Sequence, residues 1–382
     1  MKLFTCEWCG QLLYFENVRC ERCGHRLGYV PDAGTLSALE EAAETAGEWH
    51  PVGAPGRLLR FCANAGFAAC NWLVPASSPE RYCTACRHNR TVPDLSQPGN
   101  LSAWQRIELA KHRLFYTLLR LRLPLENRAD NSQEGLAFDF LADPPAPGNG
   151  PQVMTGHDNG LITLALAEAD DAERERRRTG MGEPYRTLLG HFRHEVGHWY
   201  WDRLVRDGAP WTLDACRALF GDDRRDYGEA LQTHYANGAP PDWQEHFVSA
   251  YASSHPWEDF AETWAHYLHI VDTLEMADAF GVRVHPRAAG DGVPAATVHV
   301  DPYAAGQGIE RIVEAWLPLV FALNNLSRCI GAGDLYPFIL SPAAIRKLGF
   351  IHELVQAAGA AADDGSLAPR REGRARSRAA GG

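Results

Sequence analysis

Residues 190–205, "GHFRHEVGHWYWDRLV", contain the pattern H-E-x-x-H and decide how the rest of the chain is interpreted. Residues four apart lie on one face of a helix, so His194 and His198 can present two imidazoles to the same metal ion. Glu195 occupies the adjacent position, from which its carboxylate can take a proton from a water molecule. In shuffled sequences with 16 histidines, the pattern arises by chance in about a few per cent of cases, so other parts of the chain must support a metal site.

A zinc site of this kind needs a third protein ligand. The residues that follow the motif, "WYWDRLV" (199–205), contain no histidine, which excludes the class of zinc hydrolases whose third histidine comes within six positions. Downstream, "AYASSHPWEDFAETWAHYLH" (250–269) carries Glu258 and Glu262, again four residues apart. Because both carboxylates face the same side of a helix, the first can bind zinc and the second can accept a hydrogen bond from a ligand histidine.

The composition is that of an acidic globular protein. Of 382 residues, 45% are hydrophobic and 22% are charged, with a net charge of -11 and a pI near 5.8. Such a chain does not hold nucleic acid by bulk charge. The start "MKLFTCEWCG" lacks the apolar core of a signal peptide, and the longest apolar stretches fall short of a membrane span. We expect a soluble, cytoplasmic protein without nucleic-acid or membrane partners.

Ten cysteines are unevenly distributed, since eight precede residue 90 and six of these form three C-x-x-C pairs. In a chain without an export signal such pairs indicate metal binding, with buried packing and redox chemistry as the alternatives. Two four-cysteine sites for structural zinc are predicted. The first has the layout of a zinc ribbon (Cys6, Cys9, Cys20 and Cys23), and the second has a wider first spacing (Cys62, Cys70, Cys83 and Cys86). His25 and His88 follow a C-x-x-C pair each and are interpreted as bystanders.

A Pro/Gly/Asn-rich break over residues 91–100 divides the chain. We predict a zinc-ribbon module over 1–95, a metal-binding domain over 100–361 and a disordered arginine-rich tail over 362–382. The expected fold class is α+β, with a small β module followed by a mainly α-helical domain that contains a small sheet.

Local patterns predict the individual elements. They indicate a helix over 35–49, a helix over 101–123, a Pro- and Gly-rich loop over 142–152, a strand over 160–170, an exposed charged connection over 170–184 and one long helix from residue 185 through the motif. Cys216 and Cys329 stand alone and are predicted to be core residues.

The motifs resemble known families. "HEVGH" with a downstream E-x-x-x-E looks like the glutamate-ligand zinc peptidases, the gluzincins, and "YASSHPWEDFAETW" is similar to the corresponding stretch of anthrax lethal factor-like peptidases. The whole chain before the tail resembles a family of bacterial zinc-binding metallopeptidases with an N-terminal zinc ribbon. The stretches that carry this resemblance are "CNWLVP", "CRHNRTVPDLS" and "GEPYRTLLGHFRHEVGHWYWDRLV".

The resemblance implies a gluzincin-like domain that hydrolyses a peptide or protein substrate. It assigns His194, His198 and Glu258 as ligands of one catalytic zinc ion, besides the two structural ones. It further implies that Glu195 is the general base and that Glu262 orients a ligand histidine. Tyr251 would donate its phenol to the oxyanion. Asp202 lies at a spacing after the second histidine where many gluzincins carry an aspartate. One departure is the length between His198 and Glu258, which indicates an inserted helical segment. We expect the strand over 160–168 to bind an extended peptide by edge addition.

Two other functions remain open at this point. The zinc-ribbon module could bind a protein partner while the second half is an inactive scaffold, or the chain could be a zinc hydrolase that acts on a non-peptide amide. For the peptidase we expect about three zinc ions in the full chain and about one in a chain that begins near residue 100.

Overall fold

The computed structural model describes residues 1–144, 153–181, 183–287, 296–297, 300–304 and 306–363. The loop predicted over 142–152 and the tail predicted over 362–382 lie almost wholly outside these residues.

The N-terminal part is built from β-strands, as predicted. A hairpin of β1 (Phe4–Thr5) and β2 (Leu12–Leu13) precedes a five-stranded antiparallel sheet in which neighbouring strands follow each other in the chain. Its strands are β3 (Arg26–Val30), β4 (Thr35–Glu41), β5 (Glu48–Pro51), β6 (Leu59–Phe61) and β7 (Leu73–Pro75). A parallel bridge between Tyr29 and Trp72 brings the two ends of the sheet together.

The helix predicted over 35–49 is wrong, because this segment forms β4, a turn and β5. β4 lies between β3 and β5 and pairs with both. Four consecutive residues from Leu36 to Leu39 are buried, which is typical of a strand covered on both faces and not of an amphipathic helix. Of the alanines and glutamates that favoured a helix, half fall in the turn over 42–47 and half in the two strands.

The second part is mainly helical, as predicted. Its helices are α1 (Asn100–Arg120), α2 (Asp171–Met181), α3 (Leu188–Tyr200), α4 (Pro210–Phe220), α5 (Tyr227–Asn237), α6 (Trp243–His246), α7 (Pro256–Ala279), α8 (Ile309–Cys329) and α9 (Pro342–Asp363). A π-helical stretch, Trp201–Arg206, continues α3. The inserted segment between the motif and the downstream glutamates contains α4, α5 and α6. In the part of the chain that the structure describes, no helix is long and apolar enough to cross a membrane.

A four-stranded sheet lies beside α3. Its order is β10 (Gly156–Asp158), β11 (Leu161–Ala165), β9 (Ala137–Leu141) and β8 (Asn89–Thr91). The strand predicted over 160–170 is confirmed as β11 for its first half, after which a 3-10 helix follows. The expectation that this strand offers a free edge is wrong, because β11 is paired on one side with β10 and on the other with β9. The edge strands are β10 and β8. A separate two-stranded sheet joins β12 (Arg283–Val284) and β13 (Ala296–Thr297).

The exposed charged connection predicted over 170–184 is mostly helical, since α2 occupies it. Arg177 and Arg178 pair with glutamates three or four positions earlier, and such pairs stabilise a helix that has no apolar face. Such a helix lacks the hydrophobic periodicity by which helices are predicted from a sequence.

Of the two isolated cysteines, Cys216 is buried as predicted, whereas Cys329 is exposed at the end of α8.

The helices α3 and α7, which carry the H-E-x-x-H motif and the downstream glutamates, cross in close contact. Gly197 lies at the crossing. A Cβ atom on it would be 3.1 Å from the Cα atom of Ala261 and 3.2 Å from the Cβ atom of Trp264. Because glycine has no side chain, the two backbones can approach this closely.

Side chains fix the starts of both helices. Thr187 accepts a hydrogen bond from the backbone N–H of Gly190 at 3.0 Å, which caps α3. His255 accepts one from the N–H of Trp257 at 3.1 Å, and the proline at the first position of α7 is preorganised for a helix. The two helices therefore begin at defined residues.

A buried ion pair fastens α9 to the first turn of α7. The Nζ atom of Lys347 lies 2.5 Å from Oδ2 of Asp259 and donates to the carbonyl oxygen of His246 at 2.8 Å. The side chains of Lys347 and Asp259 are 7% and 0% exposed. Asp259 directly follows Glu258, so this contact also fixes the backbone at the predicted zinc ligand.

The close crossing of α3 and α7 gives a testable prediction. A Gly197→Val substitution forces extra atoms between the helices, and we expect it to lower the free energy of unfolding by about 1–3 kcal/mol. It should also weaken zinc binding, because the two imidazoles move away from Glu258. Thermal unfolding and zinc content measure both effects.

The matched control is Gly180→Val, since Gly180 is also helical but has no atom within 4 Å of its added Cβ. Equal unfolding midpoints and equal zinc contents in the two variants would contradict the role of the crossing.

Candidate metal centre

Three predicted side chains converge on one point between α3 and α7. The Nε2 atoms of His194 and His198 are 3.2 Å apart. The Oε2 atom of Glu258 lies 3.0 Å from the first and 3.5 Å from the second. In a tetrahedral zinc site with bonds of about 2.0–2.1 Å, two ligand atoms are about 3.4 Å apart. The three distances therefore fit one face of such a tetrahedron, which leaves a fourth corner for water or substrate.

The hydrogen bonds around this point suit a cation. His194 donates its Nδ1 proton to Oε1 of Glu262, 2.7 Å away, so its Nε2 atom presents a lone pair. Glu258 is 1% exposed, and its Oε2 atom has no hydrogen-bond donor among the described residues. A buried carboxylate oxygen that faces imidazole lone pairs is unfavourable unless a cation lies between them. The three side chains thus fit a zinc ion.

A residue that sequence analysis missed holds the other oxygen of Glu258. Tyr227, in the first turn of α5, donates its hydroxyl to Oε1 of Glu258 at 2.6 Å. This bond leaves Oε2 to face the histidines. The inserted segment therefore supplies part of the centre. Because the two residues are 31 positions apart, no helical or strand spacing could have indicated their contact.

Glu262 lies where its spacing from Glu258 predicts. Besides the bond from His194, it accepts the hydroxyl of Ser249 at 2.5 Å. The Ser249 oxygen accepts in turn from the backbone N–H of Ala252 at 3.1 Å. Both carboxylate oxygens of Glu262 are thereby held, which fixes the orientation of the His194 ring.

Glu195 is half-buried on α3 beside the two histidines. Burial raises the pKa of the Glu195 carboxyl, and His194 and His198 offset part of this rise. A carboxyl with a raised pKa is a better proton acceptor near neutral pH than an exposed one.

Tyr251 and Asp202 lie close to the centre. The ring of Tyr251 is 6.0 Å from that of His194, and burial raises the pKa of its phenol, which keeps its proton. Asp202 accepts a hydrogen bond from Arg206 at 2.8 Å, and burial raises the pKa of Asp202 to about 6. The Nδ1 atom of His198 has no hydrogen-bond partner within the described residues.

One side of the centre is formed by β10 and the start of α7. The ring of Trp257 lies 3.9 Å from that of His198, and the ring of His157 lies 5.9 Å from both. His157 accepts the backbone N–H of Gly160 at 2.9 Å, and burial lowers the pKa of His157 to about 3, so the ring is neutral. Sequence analysis missed His157, for which the turn sequence "GHDNG" was the only signal.

The first cysteine set comes together as predicted. The Sγ atoms are 3.7 Å apart in the pair Cys6 and Cys23 and 3.6 Å apart in the pair Cys9 and Cys20. With zinc–sulfur bonds of about 2.3 Å, a tetrahedral site has sulfurs about 3.8 Å apart. His25 lies against the ring of Trp8, at 4.7 Å between ring centroids.

The second cysteine set also comes together. The Sγ atoms of Cys70 and Cys83 are 3.8 Å apart, and all four sulfurs lie within 4.8 Å of one another. His88 bonds instead to the carbonyl oxygens of Thr84 and Leu125, at 2.8 and 3.2 Å. Both cysteine sets therefore have donors of the right kind and spacing for zinc.

Comparisons with known proteins show the family of each part of the chain. Residues 100–354 match the family described as "Putative zinc-binding metallo-peptidase", and residues 3–97 match a zinc-ribbon domain. Proteins of Mycobacterium bovis and Mycobacterium tuberculosis, described as uncharacterized, are 40% identical over 355 residues, which cover 93% of this chain and 95% of each relative. No solved structure matches. The chain belongs to this family of zinc-binding metallopeptidases.

The three-donor geometry predicts the outcome of removing one donor. We expect a Glu258→Ala variant to lose one zinc ion and to keep the ions in the cysteine sets, because two imidazoles alone bind zinc weakly. Metal analysis of the purified full chain should fall from about three ions to about two.

Glu314→Ala is the control, since Glu314 is an exposed helical glutamate on α8. A full zinc complement in Glu258→Ala would exclude this carboxylate as a ligand.

Proposed function

We propose that this protein is a zinc-dependent peptidase that hydrolyses peptide bonds at the centre between α3 and α7. The observation that carries the proposal is the convergence of His194, His198 and Glu258 at mutual distances of 3.0–3.5 Å, with Glu195 on the same helix as the histidines. These three side chains are the ligands of the catalytic zinc ion. The two cysteine sets hold structural zinc.

Glu195 is the general base. Zinc with three protein ligands keeps a position for water, lowers the pKa of that water to about 7 and polarises a carbonyl group. The Glu195 carboxylate takes a proton from the attacking water and later delivers it to the leaving amine. Burial raises the pKa of the Glu195 carboxyl, which makes the carboxylate a stronger base than an exposed one.

The ligands are oriented by their neighbours. Ser249 and the backbone of Ala252 position Glu262, which holds His194 with its Nε2 atom toward the metal. Tyr227 occupies one oxygen of Glu258 and thereby makes this ligand bind through the other. Hydrogen bonds of this kind, from neighbouring groups to the metal ligands, typically raise the metal affinity by about 10- to 100-fold.

Tyr251 is proposed to stabilise the transition state. Its phenol keeps its proton and lies near His194, so it can donate a hydrogen bond to the substrate carbonyl oxygen as negative charge develops there. The loss of one such donor typically costs about 3 kcal/mol.

The edge strand β10 favours a peptide over other amides. It is the outer strand of its sheet on the side of the centre, and its residue His157 lies near the ring of the ligand His198. An extended peptide could add to this edge through backbone hydrogen bonds, which would align a scissile bond with the zinc ion.

A Glu195→Gln variant tests the proposal. The amide cannot accept a proton, so we expect turnover of an unfolded protein substrate such as casein to fall by at least about 100-fold. Zinc content and circular dichroism should stay unchanged, because Glu195 is not a ligand. Glu245→Gln, at an exposed position of α6, is the control.

Equal turnover in both variants would favour the alternative in which the scaffold is inactive and the zinc ribbon binds a partner. Hydrolysis of a small acylated amine but of no peptide would favour a zinc hydrolase acting on a non-peptide amide.

The contact between Tyr227 and Glu258 predicts a metal-affinity effect. We expect Tyr227→Phe to lower the affinity for the catalytic zinc ion by about 10- to 100-fold, because the free Oε1 atom disturbs the geometry of the ligand. Competition with a coloured chelator measures this affinity. Tyr235→Phe is the matched control, since Tyr235 lies on the same helix and is 65% exposed. The same affinity in both variants would exclude this role.

A further inference from the structure

The second cysteine set touches a helix of the metallopeptidase part. His112, on α1, places its Nε2 atom 3.2 Å from Sγ of Cys70, 3.6 Å from that of Cys86 and 3.9 Å from that of Cys83. Three of the four sulfurs that would surround a zinc ion thus contact one side chain from outside the zinc ribbon.

The His112 ring is fixed in this position. Its Nδ1 atom donates to the backbone carbonyl of Glu108 at 2.6 Å, and the edge of the ring packs against Trp72 with centroids 5.1 Å apart. The side chain is 3% exposed. A buried imidazole nitrogen needs a polar partner, and here its partners are the sulfurs of the second set.

A buried polar cluster extends from the same site. Oε2 of Glu108 lies 3.7 Å from the sulfur of Cys86, and Oε1 accepts hydrogen bonds from Lys111 at 2.9 Å and from Asn89 at 2.7 Å. Glu108 and Lys111 are fully buried. Buried charges are strongly destabilising when any of their partners is missing. The cluster packs directly against the second set.

From α1, further polar contacts reach the helices of the catalytic centre. Thr117 donates to Asp272 of α7 at 2.6 Å, and Tyr116 donates to Glu275 at 2.8 Å. Asp272 also forms an ion pair with Arg193, the residue before His194. A continuous set of buried contacts thus leads from the second cysteine set to the zinc-binding motif.

The first cysteine set differs in this respect. Within the described residues, its sulfurs contact one another and the backbone of the same segment. Cys9 and Cys23 are only partly buried. This segment does touch α1, through the ion pair between Glu16 and Arg113, but not through its sulfurs.

We propose that the second zinc ion is a shared structural centre of both parts of the chain. His112 is the positioning residue that joins it to α1, and this ion holds α1 against α3 and α7. The four cysteines lie in the segment that matches the zinc-ribbon domain, which ends at residue 97. His112 lies in the segment that matches the metallopeptidase family, which begins at residue 100. The first ion has no such contact from a side chain of α1 to its sulfurs among the described residues.

Paired variants of the full chain test this difference. We expect Cys20→Ser/Cys23→Ser to lose about one zinc ion and to unfold within a few degrees of the unaltered chain. Cys83→Ser/Cys86→Ser should lose the second ion and also the ion between α3 and α7, with an unfolding midpoint lower by about 10 °C or more. Zinc content and far-ultraviolet circular dichroism measure these effects, and neither depends on turnover or on the proposed peptidase activity.

Retention of the zinc ion between α3 and α7 and of the unfolding midpoint by Cys83→Ser/Cys86→Ser would overturn the proposal. Equal losses in both double variants would overturn it as well, because the two sites would then be equivalent.

Single variants of the histidine provide a test that leaves all cysteines intact. We expect His112→Phe to release zinc from the second site about 10- to 100-fold more readily to a chelator and to shift the thiolate-to-metal absorption band of the cobalt-loaded chain. His112→Gln, which keeps a polar group, should restore part of the affinity. His25→Phe is the control at the first site. An unchanged band and unchanged zinc release in His112→Phe would exclude His112 as the positioning residue.

Discussion

The close crossing of α3 and α7 at Gly197 is the constraint on which the metal centre depends. The two imidazoles come from one helix and the carboxylate from the other, and they meet only because the backbones are nearly in contact beside Ala261 and Trp264. Helices with ordinary side chains at their contact pack with axes about 8–10 Å apart. A larger residue at this point of the motif would separate the donors that a zinc ion must bind together.

The groups that surround the proposed metal ligands determine how these ligands are oriented. Three carboxyl groups at the proposed centre each have a contact from another segment of the chain: Ser249 for Glu262, Tyr227 for Glu258 and Lys347 for Asp259. Such contacts limit the rotation of the ligands and reduce the cost of bringing them together. The inserted segment is therefore part of the centre, since one of these contacts comes from α5.

Sequence analysis identified those parts of the site that have a local pattern. His194 and His198 are one helical turn apart, as are Glu258 and Glu262, and the C-x-x-C pairs have a spacing that zinc requires. The fold class was also predictable, because hydrophobic periodicity marks α1 and α3. Residues that depend on tertiary contact, such as Tyr227 and His157, leave no periodic signal. The segment over 35–49 was mistaken for a helix because its alanines and glutamates favour helices, although four consecutive buried residues indicate a strand. Helix α2 was missed because a helix without an apolar face shows no hydrophobic periodicity.

The ion pair between Lys347 and Asp259 has a consequence for biosynthesis. A ribosome delivers the N-terminal segments first, so the cysteine sets are available to metal early, whereas the lysine that neutralises Asp259 emerges 88 positions after its partner. Until then the buried carboxyl next to Glu258 lacks its cation, which weakens the packing of the first turn of α7. The nascent chain therefore gains the full stability of this turn only after residue 347 has left the ribosome.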